Sequence, residues 1–266
     1  EKKKVTVKTF VEMKRDGNKI AMLTAYDYTT ARLIDEAGVD SILVGDSASN
    51  VMLGNDSTLP ITLDEMIVYA RGVARGCQRA LVVCDMPFGT YQVSPEEGVR
   101  NAVRLIRETG VDAVKLEGGE EVAPTIERIV NAGIPVVGHL GLTPQSIHKF
   151  GGYGVRARSE VEATKLIADA QALEKAGCFA VVLEKIPASV AQQVTDLLSV
   201  PTIGIGAGSH CDGQVLVYAD AMGLTQGFEP KFLREFAAMG EELRRGVRAY
   251  CEAVKGDEFP NESESY

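Results

Sequence analysis

Four carboxylates close short apolar runs in this chain: Asp46 in "SILVGDS", Asp85 in "VVCDMPFG", Glu117 in "VKLEGG" and Glu184 in "VVLEKIP". Buried carboxylates are costly unless something positive meets them, and several together repel one another and hold protons more tightly. A hard divalent cation relieves both problems. Mg²⁺ takes oxygen ligands, uses one or two carboxylates, and keeps positions open for water or substrate oxygens. Asp46, Asp85 and Glu117 are therefore the candidate metal ligands. Lys115 lies two residues before Glu117, so on a strand both side chains point to the same side. A lysine beside a metal suits an anionic substrate.

Each residue also has a plainer reading. A lone Asp after a strand is most often a turn former or a helix N-cap. Glu184 can pair with Lys185 at a rim. His139 ends another apolar run and reads as a hydrogen-bonded core residue, without the spaced His partners of a zinc site; His148 and His210 read as surface loop residues. The glycines of "GIGAG" either relieve crowding or bring backbone N–H groups to a ligand. What favours a shared site is the repetition, one acid at the end of each of four runs.

The elements that would carry these residues alternate. The apolar runs are "IAMLTA" (20–25), "SILVG" (41–45), "ALVVC" (80–84), "DAVKLE" (112–117), "IPVVGH" (134–139), "FAVVLE" (179–184), "PTIGIG" (201–206) and "QVLVY" (214–218). Most are rich in Val and Ile on both parities, as strands covered on both faces should be. Helical patterns lie between them, over 29–38, 62–76, 94–110 and 159–177, opened by capping residues such as Ser94 and closed by glycines such as Gly38. A long amphipathic helix is expected over 230–256, with a tail, 257–266, that is loose or held by a neighbour.

Alternating strands and helices predict parallel pairing through right-handed crossovers. Eight strands predict an α/β fold, a (β/α)8 TIM barrel, with an N-terminal helical segment and a long C-terminal helix, as one domain over 1–266. The alternative is a doubly wound open sheet, which usually carries a Gly-rich turn after its first strand. That place reads "TAYDYTTAR", without glycine. In a barrel the chemistry sits at the C-terminal ends of the strands, where the four acids fall.

The bulk properties narrow the field. The chain has 266 residues, 45% of them hydrophobic, enough for a large core, and its formal charge of -9 comes without a basic block beyond the first few residues. Phosphate-backbone binding needs clustered Lys and Arg, so nucleic acid is excluded as a partner. No apolar run reaches the roughly 18–20 residues that a membrane span needs. No signal-peptide pattern opens the chain, although Glu1 as first residue leaves room for a removed segment. The five cysteines, Cys77, Cys84, Cys178, Cys211 and Cys251, form no C-x-x-C pair and read as reduced thiols of a cytoplasmic protein.

The motifs "MLTAYDYTTARLIDEAGVDSILVGDS", "LGNDSTLPITLDEMI", "DMPFGTYQVSPEEGVRNA", "VKLEGG", "GIPVVGHLGLTPQS", "VVLEKIP" and "PTIGIGAG" together resemble the 3-methyl-2-oxobutanoate (ketopantoate) hydroxymethyltransferase family, in matching order from about Val7 to near Arg248. The resemblance implies a (β/α)8 barrel with Mg²⁺. It also implies transfer of the methylene unit of 5,10-methylenetetrahydrofolate to 3-methyl-2-oxobutanoate, giving 2-dehydropantoate for pantothenate and coenzyme A. By motif, Asp46 and Asp85 would ligate Mg²⁺ and touch the substrate. Glu117 would stand on the metal side, Lys115 on the substrate carboxylate, Ser47 on the keto acid, and Glu184 would be the catalytic base. Family members are commonly large homo-oligomers, often decamers. This chain departs from the family at Ala48, Ser49, Asn50 and Asn55, and at "GGYGVRARS", where Arg156 and Ala157 are unusual.

Two rivals make different demands. A Mg²⁺-dependent C–C lyase or phosphonomutase on a related barrel would share the enolate chemistry but often needs a reactive Cys in a mouth loop, for which Cys211 is the one candidate. A non-catalytic scaffold would have no use for converging carboxylates.

Overall fold

The computed structural model describes residues 3–266. Eight parallel strands close on themselves in sequence order, β1-β2-β3-β4-β5-β6-β7-β8. They are β1 (Ile20–Thr24), β2 (Ser41–Val44), β3 (Leu81–Asp85), β4 (Ala113–Lys115), β5 (Val136–Gly141), β6 (Ala180–Glu184), β7 (Thr202–Ile205) and β8 (Gly213–Leu216). Closure is direct: β1 pairs with β2 through Met22 and Ser41, and with β8 through Ile20 and Gly213. An open sheet leaves two edge strands with one partner each; here every strand has two, and the first pairs with the last, so the barrel reading holds and the doubly wound alternative falls.

The helices, in chain order, are α1 (Val7–Arg15), α2 (Tyr28–Ala37), α3 (Ala48–Val51), α4 (Leu63–Gly76), α5 (Pro95–Thr109), α6 (Ala123–Asn131), α7 (Ile147–Phe150), α8 (Glu160–Lys175), α9 (Ala188–Leu197), α10 (Tyr218–Ala221) and α11 (Met239–Lys255). Local chemistry sets their ends. Thr62 and Glu65 form a capping box at the start of α4, and Ser94 caps α5 with Pro95 at its first position. Gly38 and Gly110 end α2 and α5 in the left-handed conformation, the stop that their positions predict.

Strand parity places the barrel interior. Leu81 and Val83 of β3, Ala113 of β4, Val137 of β5, and Ala180 and Val182 of β6 belong to one buried cluster with Ile20, Met22, Leu43, Ile203 and Val215. Each fully buried aliphatic side chain is worth about 1.5–3 kcal/mol relative to exposure. Two residues further along each strand, the same inward parity delivers Asp85, Lys115, His139 and Glu184. The core that stabilises the barrel and the row of polar groups above it are thus successive layers of one pattern.

The lower, N-terminal end is closed by the segment from Lys4 to Lys14. Val5 N–H donates to Arg79 O, Lys4 Nζ reaches Ala80 O and Asp112, and Lys14 Nζ reaches Thr195 O and Asp212. Phe10 is buried edge-on against Phe179, centroids 5.7 Å apart. Three aspartates repeat a device here. Asp40, Asp112 and Asp212, each just before a strand, accept the N–H of Ala21, Val82 and Thr202 on the preceding strand. Each also meets a cation: Arg79, Lys4 and Lys14 respectively.

Two expectations change. Strand four stops at Lys115 rather than 117: its parallel pairing with β5 ends at Lys115 and Val137, and Gly118 then meets His139 in an isolated antiparallel bridge. The long helix starts at Met239 rather than 230. Phe236 N–H and Met239 N–H bond to Ala221 O and Met222 O, partners outside any helix they could have begun. The chain forms two compact units, the first ending at Val217 and containing the whole barrel, the second comprising Tyr218–Tyr266 with α10 and α11. No helix among the described residues is long and apolar enough to cross a membrane.

Candidate active site

Asp46 follows Gly45, the first residue after β2. Its backbone N–H donates to Asp85 Oδ2 at 2.9 Å, which ties the ends of β2 and β3 together. Gly45 is required by close approach: a Cβ there would stand 2.6 Å from Ser47 Oγ and 3.7 Å from Asp85 Oδ2. Ser47 Oγ lies 2.7 Å from Tyr26 OH. The small residues around Asp46 are thus spaced for two carboxylates and a hydroxyl to share one corner.

Lys115 is the cation of this layer, buried, with Nζ 3.0 Å from Asp85 Oδ1 and 3.0 Å from His139 Nδ1. Burial pulls its ammonium down, but Asp85, Glu117 and Asp46 more than reverse this and raise it above the ordinary lysine value. Asp46 responds oppositely. Burial, then the like charges of Asp85 and Glu117, push its carboxyl well above the usual carboxylate range, against the pull of Lys115 and Gln145. The layer therefore holds more negative charge than its own cations neutralise.

His139 links the two halves of the site. Its Nδ1 stands 3.4 Å from Glu117 Oε1 and its Nε2 stands 3.1 Å from Glu184 Oε2, the latter in ion-pair range but off the hydrogen-bonding line. Burial and the Lys115 charge pull the imidazole down, Glu117 and Glu184 pull it up by more, and the balance stands at about 9. In this one position a charged ring presents Nδ1–H to Glu117, and a neutral ring can accept from Lys115 at Nδ1. Glu184, at the end of β6, keeps a 17% exposed side chain, so it faces both this network and the open mouth.

Sequence reasoning placed Asp46, Ser47, Asp85, Lys115, Glu117 and Glu184 at the strand ends, and the structure brings them to one end of one barrel. It missed three residues. His139 passed as a core histidine. Gln145, in "GLTPQS", donates through Nε2 to Asp46 Oδ2 at 2.9 Å, and its backbone N–H donates to Glu117 Oε2 at 3.0 Å. Tyr91, in "FGTYQV", accepts the Glu117 N–H and donates to Gln145 Oε1. Burial and the neighbouring Glu117 charge raise the Tyr91 hydroxyl well above the ordinary tyrosine value, so it remains a donor. Gln145 stands between Pro144 and Ser146, and Tyr91 between Thr90 and Gln92, so neither was marked in the sequence by an apolar run around it.

The donor set fits a hard cation in part. Asp85 Oδ1 is buried without a hydrogen bond, its lysine partner standing off the bonding line. Burial and the like charges of Asp85 and Glu117 penalise an ionised Asp46, a penalty that a bound cation would lift. Two carboxylates with room for substrate oxygens are what Mg²⁺ takes. Glu117, by contrast, has one oxygen on Gln145 and the other facing His139. Among the described residues no group of three or more His, Cys, Asp or Glu side chains is placed to hold one ion. Asp46 and Asp85 are thus the pair suited to direct ligation, with Glu117 behind them.

The atypical loops are fastened by their own side chains. Ser49 Oγ donates to Ser57 O, Asn55 Nδ2 donates to Ser49 Oγ, and Asn50 Nδ2 donates to Asn55 O. The unusual residues of this loop thus hold one another. Across the mouth, Arg156 stacks on Phe150, pairs with Glu162, and donates its backbone N–H to Lys185 O. Ala157 and Lys185 both sit in the left-handed region, at φ 55° and 50°. Cys211 is fully buried and its thiol is pushed up by burial, which removes it as a mouth nucleophile.

A family model described as ketopantoate hydroxymethyltransferase matches residues 4–262. A 3-methyl-2-oxobutanoate hydroxymethyltransferase of Flavobacterium johnsoniae is 59% identical over 264 residues, covering 99% of this chain and 97% of that protein. One of Parabacteroides distasonis is 61% identical with the same coverage. Among solved structures, a putative phosphonomutase from Burkholderia cenocepacia superposes with a TM-score of 0.63 at 14% identity, over 94% of this chain and 98% of that one. A phosphonopyruvate hydrolase in complex with oxalate and Mg²⁺ gives 0.62 at 12% identity, over 97% and 92%. At these identities the structural likeness concerns the fold alone.

Proposed function

The chain belongs to the ketopantoate hydroxymethyltransferase family, and from that premise we propose how its barrel mouth works. It is an enzyme that transfers a one-carbon unit. The acceptor is 3-methyl-2-oxobutanoate, the donor 5,10-methylenetetrahydrofolate, and the product 2-dehydropantoate, a precursor in pantothenate synthesis. The observation that carries this reading is the excess of buried carboxylate around one lysine, at the C-terminal end of a barrel. Such a layer suits a cation together with an anionic 2-oxo acid.

Asp46 and Asp85 would hold Mg²⁺, with Glu117 behind them. The ion, when bound, supplies a Lewis acid for the keto oxygen on which negative charge develops. Lys115 Nζ binds the substrate carboxylate, and Ser47 Oγ donates to the keto acid. Glu184 removes the proton from C3 of the oxo acid, and His139, 3.1 Å from its Oε2, fixes the carboxylate in place. C3 then bonds to the methylene carbon as the first of its two C–N bonds to the folate opens, and water replaces the second folate nitrogen, releasing the hydroxymethyl product and tetrahydrofolate. The working protein is a cytoplasmic homo-oligomer. The test is exchange of the C3 proton of 3-methyl-2-oxobutanoate for deuterium with Mg²⁺ and no folate. Glu184→Gln should slow it about 10²–10⁴-fold. Exchange at the wild-type rate in that variant removes Glu184 as the base.

A further inference from the structure

We propose that Gln145 is a positioning residue that aims the Asp46 carboxylate, holding one oxygen so that the other is presented to the cation. The inference rests on the reading of Asp46 as a ligand. Its support is the completeness of the amide's bonding. Nε2 donates to Asp46 Oδ2 at 2.9 Å and to Met86 O at 3.0 Å. Oε1 accepts from Tyr91 OH at 2.5 Å and from Gln92 Nε2 at 3.3 Å. Two donors and two acceptors exhaust what a glutamine amide can do.

The orientation of the amide is forced from both ends. Met86 O is a carbonyl and can only accept, so the group facing it must be the NH₂. Tyr91 OH already accepts the Glu117 N–H at 3.1 Å, so its own proton goes to the atom facing it, which must be the amide oxygen. The main chain of Gln145 is fixed as well, through its N–H to Glu117 Oε2 at 3.0 Å. Gln145 therefore joins three strand ends: Asp46 after β2, Met86 after β3 and Glu117 after β4. It lies 6% exposed, where a donated hydrogen bond to a carboxylate is strong and water does not substitute for it. With Oδ2 held, Oδ1 is the oxygen left for a cation. Groups that orient a metal's ligands in this way typically change its affinity 10–100-fold when removed.

The experiment uses the full chain and Mn²⁺ as probe, with free ion read by electron paramagnetic resonance. Gln145→Met keeps the volume and removes every polar group of the side chain. It should weaken Mn²⁺ binding about 10–100-fold and raise KM for 3-methyl-2-oxobutanoate, while kcat at saturating substrate and Mn²⁺ falls less. Tyr91→Phe leaves Gln145 in place but takes away the hydroxyl that anchors its Oε1, loosening the amide, and should weaken Mn²⁺ binding several-fold. Binding within twofold of wild type in a folded Gln145→Met protein overturns the proposal. Should that variant fail to fold, wild-type affinity in Tyr91→Phe overturns it. Wild-type protein that binds no Mn²⁺ overturns the metal reading itself, an outcome distinct from equal binding by wild type and variants.

Discussion

The two ends of the barrel are both lined with carboxylates, and they treat them differently. At the lower end each aspartate is matched. Asp40 has Arg79 and the Ala21 N–H, Asp112 has Lys4 and the Val82 N–H, and Asp212 has Lys14 and the Thr202 N–H. At the upper end Asp46, Asp85, Glu117 and Glu184 surround one lysine and one histidine. One end is neutralised within the chain. The other is left with charge that only something from outside can balance. In a barrel the first condition serves stability and the second serves chemistry.

That contrast can be broken. Asp46→Asn keeps an acceptor for Gln145 and removes a buried charge. It should abolish Mg²⁺-dependent binding of the oxo acid in calorimetry, a loss of at least about 10³-fold, since the ligand and its charge go together. The same substitution should leave the ion-free protein as stable as wild type or more so, by about 0.5–2 kcal/mol, because the site holds strain that function requires. A clear loss of stability would mean that the upper acids are structural after all. Asp212→Ala should do the reverse. It takes the counter-charge from Lys14 and the acceptor from the Thr202 N–H, and should destabilise by about 2–3 kcal/mol in denaturant melts with oxo-acid affinity unchanged. The Asp112 pair is more exposed and screened, so Asp112→Ala should cost about 1–2 kcal/mol.

The smallest effect is a pH dependence. Burial pushes the Asp35 carboxyl up, but the N–H groups of Gln78, Ala80 and Arg79 outweigh it and hold the carboxyl below the usual range. A carboxyl depressed in the folded state stabilises above its unfolded pKa, about 3.9, and loses that contribution as pH falls through the folded value. Asp35→Asn should therefore be less stable than wild type at neutral pH. The gap should narrow below about pH 4 as the wild-type carboxyl protonates. A gap that stays constant down to pH 2 would show that the carboxylate charge is not what the three amides recognise.

The acids were legible because strand chemistry exposes them. An apolar run ending in Asp or Glu, repeated on separate strands, marks a layer, and the inward parity that buries Val83 and Val182 also aims Asp85 and Glu184. Lys115 followed from its spacing to Glu117. His139 was visible as a residue but not as a bridge. Which side chains of neighbouring strands meet depends on the stagger of the closed barrel, and no single strand records it. Gln145 and Tyr91 reach the site from loops, where no periodicity tells which way a side chain turns. Asp40 and Asp112 escaped notice for a related reason. They stood inside a recurring turn, "GVD", and looked like punctuation, while their bonds run to a strand about 20 or 30 residues earlier. The start of α11 was misplaced because amphipathic periodicity continues through 230–238, whereas Phe236 N–H in that segment and Met239 N–H just after it find partners in Ala221 O, at the end of α10, and Met222 O beyond it.

The stopper formed by Phe10 and the segment around it has a bearing on traffic. With the packed core above it, this stopper leaves the barrel one open end, so on the proposed reading a small acid against Lys115 and a larger donor above it would share one doorway, the deeper entering first and leaving last.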